Sequence, residues 1–255
     1  ASETDSRLRL ARLYFAEGAY GEALTVLRHD SEKTPPEFEE ALLELALMER
    51  LGQTEGSVPG HLSRFAPSSE FRTRASLIFI EGARHRGGEP AVAEMILQSS
   101  TLDLSSPENL PILKSLLLAL LASDQPESAQ SQLAETLEAN PSSAGLRGLE
   151  GFLLSELGEA SAAKIAYDRA LELDADEPMA LEALAQAHAQ SGETDSAIRV
   201  YKRLAEIQPR DVSALLAAAE VLSQASRADE GAALLRAALE REPYHGGAAL
   251  RLARQ

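Results

Sequence analysis

Hydrophobic residues make up 44% of this 255-residue chain but aromatic residues only 4%, so its packing depends on Leu and Ala. The formal net charge of -16 argues against a nucleic-acid partner, because phosphate binding needs an electropositive surface. Cysteine is absent, which excludes disulfides, thiol nucleophiles and cysteine-ligated zinc.

Apolar residues at helical spacing divide the chain into pairs of helices, and the first three pairs are irregular. The pair predicted at 4–37 places Leu10 and Tyr14 on one helical stripe. The next two segments, 38–71 and 72–109, keep only the pattern of a first helix. We therefore expect two degenerate pairs in this part of the chain.

From Leu110 onward the pattern has a period of 34 residues. Residues of similar size return at fixed offsets, which indicates that one helix–turn–helix unit is stacked repeatedly, because a single unit cannot bury its own apolar face. The predicted units are 110–143, 144–177, 178–211 and 212–245, and the matching columns are Ala163, Ala197 and Gly231, then Tyr167, Tyr201 and Leu235, then Ala170, Leu204 and Ala238.

A lone helix is predicted at 246–255. Ala249, Leu252 and Ala253 continue the stripe of a first helix and are expected to pack on the preceding pair. Two interpretations stay open for this helix: it caps the array, or it is the first helix of a further repeat in a longer protein.

These columns resemble those of the tetratricopeptide repeat. The resemblance is carried by one set of residues in the segment 178–211, namely Leu181, Leu184, Ala185, Ala197, Tyr201 and Pro209. It implies an all-α fold, a right-handed α-solenoid of seven stacked repeats that forms a single domain over residues 1–255. It also implies that first helices line an inner wall that receives a protein partner.

No catalytic motif is present in the sequence. Nucleophile elbows, phosphate-binding glycine loops and histidine pairs at metal-ligand spacing are all absent. His188 is read as a structural residue, and Asp176, Asp195 and Asp211 precede apolar runs as helix N-caps would. We expect no enzymatic activity, no cofactor and no metal.

By position in the family pattern, the partner-binding wall would be formed by eleven residues. The two phenylalanines are the strongest candidates, because a partner that covers an exposed ring gains roughly 25 cal/mol per Å². The alternative is that these rings fill space between neighbouring helices. The wall comprises Leu8, Arg12, Phe15, Lys114, Leu118, Leu121, Phe152, Glu156, Glu182, Gln186 and Glu220.

Five arginines fall close together between positions 64 and 86. Two acidic residues, Glu70 and Glu81, interrupt this cluster. It is interpreted either as a solvated surface with local ion pairs or as a docking patch for an acidic partner. The cluster comprises Arg64, Arg72, Arg74, Arg84 and Arg86.

Three functions remain open from the sequence. The first is a noncatalytic scaffold that assembles a bacterial envelope, secretion or exopolysaccharide-export complex. The second is a soluble cytoplasmic adaptor or regulator whose array binds a peptide helix or a folded partner domain. The third is a self-assembling array that stacks end to end. No apolar stretch of the sequence is long enough to span a bilayer. The sequence does not distinguish the bacterial periplasm or envelope from the cytoplasm.

Overall fold

The computed structural model of the chain describes residues 3–28, 37–54, 62, 65, 68–99, 103–209, 211–242 and 245–253. Over these residues the protein contains thirteen α-helices and no strand, which confirms the predicted all-α fold. None of the helices described is long and apolar enough to cross a bilayer. The chain divides into two compact units, residues 1–132 (unit 1) and 133–255 (unit 2).

Each helix belongs entirely to one of the two units except α6 (Pro126–Ala139), which contains residues of both. Unit 1 contains α1 (Glu3–Ala16), α2 (Tyr20–Arg28), α3 (Phe38–Arg50), α4 (Ser69–Gln98) and α5 (Leu110–Ala122). Unit 2 contains α7 (Ala144–Glu156), α8 (Ala160–Leu173), α9 (Pro178–Gln190), α10 (Thr194–Ile207), α11 (Ser213–Gln224), α12 (Ala228–Arg241) and α13 (Gly246–Ala253). The prediction that all repeats form one continuous domain stays a prediction.

In unit 1 each helix packs on the next from α1 to α5. Leu47 and Ala11 lie in one apolar cluster, and Leu45 and Phe71 lie in a second. The long helix α4 is interrupted at Gly88, whose φ of 69° and ψ of -161° are accessible almost only to glycine. This break gives the segment 72–109 the two-helix form that its weak sequence pattern left uncertain.

Helix α3 carries three buried glutamates, and each is paired with an arginine of another helix. Two of the three pairs are Arg7–Glu40 at 3.3 Å and Arg28–Glu44 at 2.8 Å. Buried carboxylates need such partners because their desolvation is costly. The third pair joins Glu49 to Arg86 of α4.

Unit 2 follows the predicted columns closely. The small and large residues at the matched positions are buried except Tyr167, which is half-buried, and Ala197, Tyr201, Leu204 and Leu235 lie in one continuous core. Such burial is the expected result of stacking units whose apolar faces repeat in register.

The terminal helix is rotated by one position from the prediction. Ala248 is fully buried and Leu252 packs on the same core, whereas Ala249 and Ala253 are exposed. The prediction of Ala249 and Ala253 as packing residues was therefore wrong. Residues four apart lie on one face of a helix, so Ala248 and Leu252 form a consistent stripe.

The predicted caps at Asp176 and Asp195 were wrong, because Glu177 and Glu193 precede α9 and α10. At the start of α11 the Asp211 carboxylate accepts a 2.8 Å hydrogen bond from the Ser213 amide, as predicted for a cap. Glu177, not Asp176, precedes α9, and its Oε2 accepts a 2.6 Å hydrogen bond from the Ala180 amide. The Glu177 side chain is buried against Gly148 of α7, where an added Cβ would lie 2.7 Å from Oε2. Gly148 therefore leaves the space that the capping carboxylate fills.

Candidate partner-binding surfaces

The predicted wall residues of unit 1 lie on two helices. On α1, Leu8 and Phe15 belong to the packed cluster of the first helices, and the Phe15 ring lies 5.4 Å from that of Tyr20. Phe15 therefore fills space between helices, as the alternative interpretation held. On α5, Leu118 is the most exposed of the three predicted residues, while Lys114 and Leu121 are half-buried. The remaining residue, Arg12, lines a groove.

This unit 1 groove lies among α1, α3 and α4 and has a volume of about 310 Å³. Its apolar surface is formed by aliphatic side chains, and its charged residues are two arginines with one glutamate between them. Its lining residues are Arg12, Glu39, Leu42, Leu43, Arg74, Leu77 and Ile78.

The charged groups of the groove form one connected set. Arg74 donates two hydrogen bonds to the Glu39 carboxylate, at 2.7 and 3.1 Å, and Arg12 lies 3.6 Å from the same group. The hydrogen bond that Arg74 donates to Glu39 is the largest cause that raises the pKa of Arg74 above its usual value. Arg74 also lies over the Phe38 ring, 5.6 Å from its centroid, as in a cation–π contact. Both arginines thus share the Glu39 carboxylate, and Glu70 lies 3.8 Å from Arg74 as a further partner.

Three arginines of the predicted acidic-partner patch are engaged in ion pairs. Besides Arg74, Arg84 pairs with Glu81 and Glu89, and Arg86 pairs with the buried carboxylate of Glu49. This matches the interpretation of local ion pairs better than that of an open basic patch.

Of the other two arginines of the patch, the structure describes only one. Arg72 is exposed, and Arg64 lies outside the described residues. The structure therefore brings Arg12 and Arg74 together on Glu39, which joins a predicted wall residue to a predicted patch residue.

In unit 2 the predicted wall residues lie on the first helices α7, α9 and α11. Glu156, Glu182, Gln186 and Glu220 are exposed, and Phe152 is half-buried. This face is therefore mainly polar and acidic.

A second cavity, which we call the α8/α9 cleft, opens between those two helices. Its volume is about 300 Å³. Tyr167 forms part of its wall, and the ring is seated on Gly151, where an added Cβ would lie 2.6 Å from two ring carbons. The cleft is lined by Ser155, Ala160, Ala163, Lys164, Tyr167, Asp168, Leu171, Ala180, Ala183, Leu184, Gln186, Ala187 and Gln190.

Three carboxylates act electrostatically on Tyr167. Burial raises the pKa of Tyr167 to about 12, and the negative charges of Glu182, Glu177 and Glu156 add to the shift. The phenol is therefore neutral at physiological pH and lies in a negative potential. The sequence pattern missed this cleft, because it identified Tyr167 as a packing residue.

No catalytic or metal constellation accompanies these surfaces in the described part of the chain. No group of three or more His, Asp or Glu side chains is placed there to hold a metal ion. His188 is half-buried, and its Nδ1 lies 2.7 Å from Glu193 Oε2.

Comparisons with known proteins agree with the repeat pattern of unit 2. Family models described as tetratricopeptide repeats match residues 144–177 and 178–221. No curated protein was found to match the chain.

Two solved structures of MamA are similar to the chain at low identity. Each is 22% identical to this chain, and they give TM-scores of 0.42 and 0.43. The first match covers 67% of this chain and 92% of MamA, and the second covers 64% and 94%. The assignment rests on the family models together with the buried columns of unit 2: residues 144–221 are tetratricopeptide repeats.

Proposed function

We propose that the chain is a noncatalytic scaffold that helps to assemble a multiprotein complex. Tetratricopeptide repeats indicate protein–protein interaction, and at this general level the chain is a protein-interaction scaffold. The observation that carries the proposal is the unit 1 groove, where an aliphatic surface adjoins the paired charges of Arg12, Glu39 and Arg74. Such a combination buries apolar area and orients a partner through polar contacts.

The complex that we propose is a bacterial envelope, secretion or exopolysaccharide-export assembly. A long, alanine-rich array with more arginine than lysine supports this choice. The alternative is a cytoplasmic adaptor or regulator whose array binds a peptide or a partner domain. Fractionation of source cells tests the choice: recovery of the native protein with the envelope supports the first, and recovery with soluble cytoplasmic complexes supports the alternative.

Site-specific photocrosslinking tests the scaffold function. A photoreactive residue replaces Leu77 in the unit 1 groove, and the matched control replaces Leu97, which is 55% exposed on α4 and does not line the groove. We expect discrete crosslinks to another protein from position 77 and none from position 97. Equal crosslinking at both positions, or none at either, would contradict a partner site in the groove.

End-to-end self-association is a separate proposal for the same array. It predicts a mass above that of one chain in sedimentation experiments at high concentration. A strictly monomeric profile there would exclude it without affecting the scaffold function.

A further inference from the structure

The α8/α9 cleft differs from the equivalent seam one repeat later at several positions, of which Lys164 changes most in polarity. One repeat later, Ile198 of α10 stands at the position that Lys164 holds on α8, and Ile198 is only 8% exposed in the unit 2 core. The Lys164 side chain is 77% exposed. Replacing a buried isoleucine with an exposed lysine leaves the seam between α8 and α9 without an apolar side chain at this position.

The larger part of the surface of this cleft is apolar, and small side chains shape it. Leu184 is 38% exposed there, and alanines such as Ala183 and Ala187 form much of the facing wall of α9. An aliphatic side chain from another molecule would remove this surface from water, at a gain of roughly 25 cal/mol per Å². The cleft therefore offers one insertion point for an apolar group.

The charge around the cleft specifies what accompanies that group. Residues 150–193 contain ten Asp and Glu but only one Lys and one Arg. The rest of unit 2, residues 133–149 and 194–255, contains ten acidic and ten basic residues. The negative charge of unit 2 is thus concentrated on the segment that forms the cleft.

Two of these carboxylates are available to a partner. Glu156 and Glu182 are exposed, and the negative charge of each contributes to the raised pKa of Tyr167, which lines the cleft. The single lysine of the cleft, Lys164, is neutralised by Asp168, whose Oδ2 lies 2.8 Å from Nζ. A cationic side chain would therefore be attracted, whereas an anionic one would be repelled.

We propose that the α8/α9 cleft binds an amphipathic protein segment that inserts an aliphatic side chain beside Leu184 and presents Lys or Arg to Glu156 and Glu182. The inference rests on the proposed scaffold function and names the class of partner at one surface: a basic, apolar segment. An acidic segment of the same apolar pattern does not fit.

The first test uses two fluorescently labelled peptides with Leu at helical spacing, one carrying Lys at every polar position and one carrying Glu. Anisotropy is measured at physiological ionic strength, where charges more than about 8 Å apart are largely screened. We expect saturable binding of the Lys peptide and none of the Glu peptide. Binding of both peptides, or of neither, would overturn the proposal.

Two pairs of variants separate the cleft from the general acidity of the chain. Glu156→Gln with Glu182→Gln should weaken binding of the Lys peptide roughly fivefold, the effect of losing two partly exposed ion pairs. The matched control, Glu206→Gln with Glu240→Gln, removes the same charge from exposed positions on α10 and α12 and should leave affinity unchanged. Equal weakening by both pairs would overturn the proposal.

A second pair tests the apolar insertion. Ala187→Leu extends a larger side chain into the cleft from an exposed position, so the core is not overfilled. It should weaken binding about tenfold or more, whereas Ala233→Leu, on the exposed face of α12, should not. Thermal melting verifies that all variants fold.

The two proposals fail separately. If crosslinking from Leu77 captures a partner while the Lys peptide does not bind unit 2, the scaffold function stands and the cleft proposal falls. If the Lys peptide binds the cleft but position 77 yields no crosslink, the unit 1 surface is refuted instead.

Discussion

Adding a single methyl group at Gly148 tests the fit between α7 and the cap of α9. The Cβ of Gly148→Ala would lie 2.7, 2.8 and 2.9 Å from the three terminal atoms of the Glu177 side chain, so the whole carboxylate must move. Moving it breaks the 2.6 Å hydrogen bond from the Ala180 amide, which belongs to a fully buried residue.

The magnitude follows from three contributions. Loss of a helix cap costs about 1 kcal/mol, and crowding a packed interior costs about 1–3 kcal/mol. Alanine is favoured over glycine inside a helix by about 1 kcal/mol, which offsets part of the cost. Gly148→Ala should therefore lower the free energy of unfolding by about 1–3 kcal/mol.

Removal of the Glu177 carboxylate should reverse the sign of this effect, which a double-mutant cycle measures. With Glu177→Ala already present, no carboxylate opposes the methyl group, and Gly148→Ala should then stabilise the protein by up to about 1 kcal/mol. Urea unfolding followed by far-UV circular dichroism measures all four proteins, with the slope m compared among them. Equal effects of Gly148→Ala in both backgrounds would refute the reasoning.

Three further predictions concern other positions. Tyr201→Ala should cost roughly 3–5 kcal/mol in chemical unfolding, because the ring is 4% exposed in the unit 2 core; a cost near zero would mean that the core is misassigned. Gly88→Ala should lower the free energy of unfolding by about 1–3 kcal/mol, since alanine is strained at a φ of 69°. Gly21→Ala, inside α2 with no atom near the added Cβ, should leave it unchanged or raise it by up to about 1 kcal/mol. Tyr167 should ionise near pH 12, whereas an unfolded tyrosine does so near pH 10. The folded state thus retains this proton longer, so the stabilisation is fully present below about pH 10 and is lost as pH rises toward 12. Ultraviolet titration against Tyr167→Phe measures the value, which Glu182→Gln should lower.

The sequence was most informative at positions where residues of similar size recur in successive repeats, because such recurrence predicts burial. Columns such as Ala163 and Ala197, or Tyr201 and Leu235, repeat at a constant offset, and their burial follows from stacking. The pattern was weaker in α4, because Gly88 interrupts a helix whose two halves have no clear apolar period of their own.

Contacts between distant residues could not be read from spacing. Arg7 and Glu40 are 33 residues apart, and nothing local marks either as a partner of the other. The α8/α9 cleft was missed for a similar reason: it contains Lys164 at a position where the next repeat has a buried Ile198. Periodicity identifies residues that fill a seam, whereas an unfilled seam becomes visible only when both helices are placed.

The contact between Glu177 and Gly148 determines where unit 2 can be divided. Both residues belong to the segment 144–177, although the carboxylate caps the helix that follows it. A fragment that begins at Pro178 would start α9 with an uncapped first turn. A fragment that begins at Ser143 keeps the cap of α7, made by the Ser143 hydroxyl, and also the cap of α9. Shortened or transplanted versions of this array should therefore be cut before a first helix together with the residue that caps it.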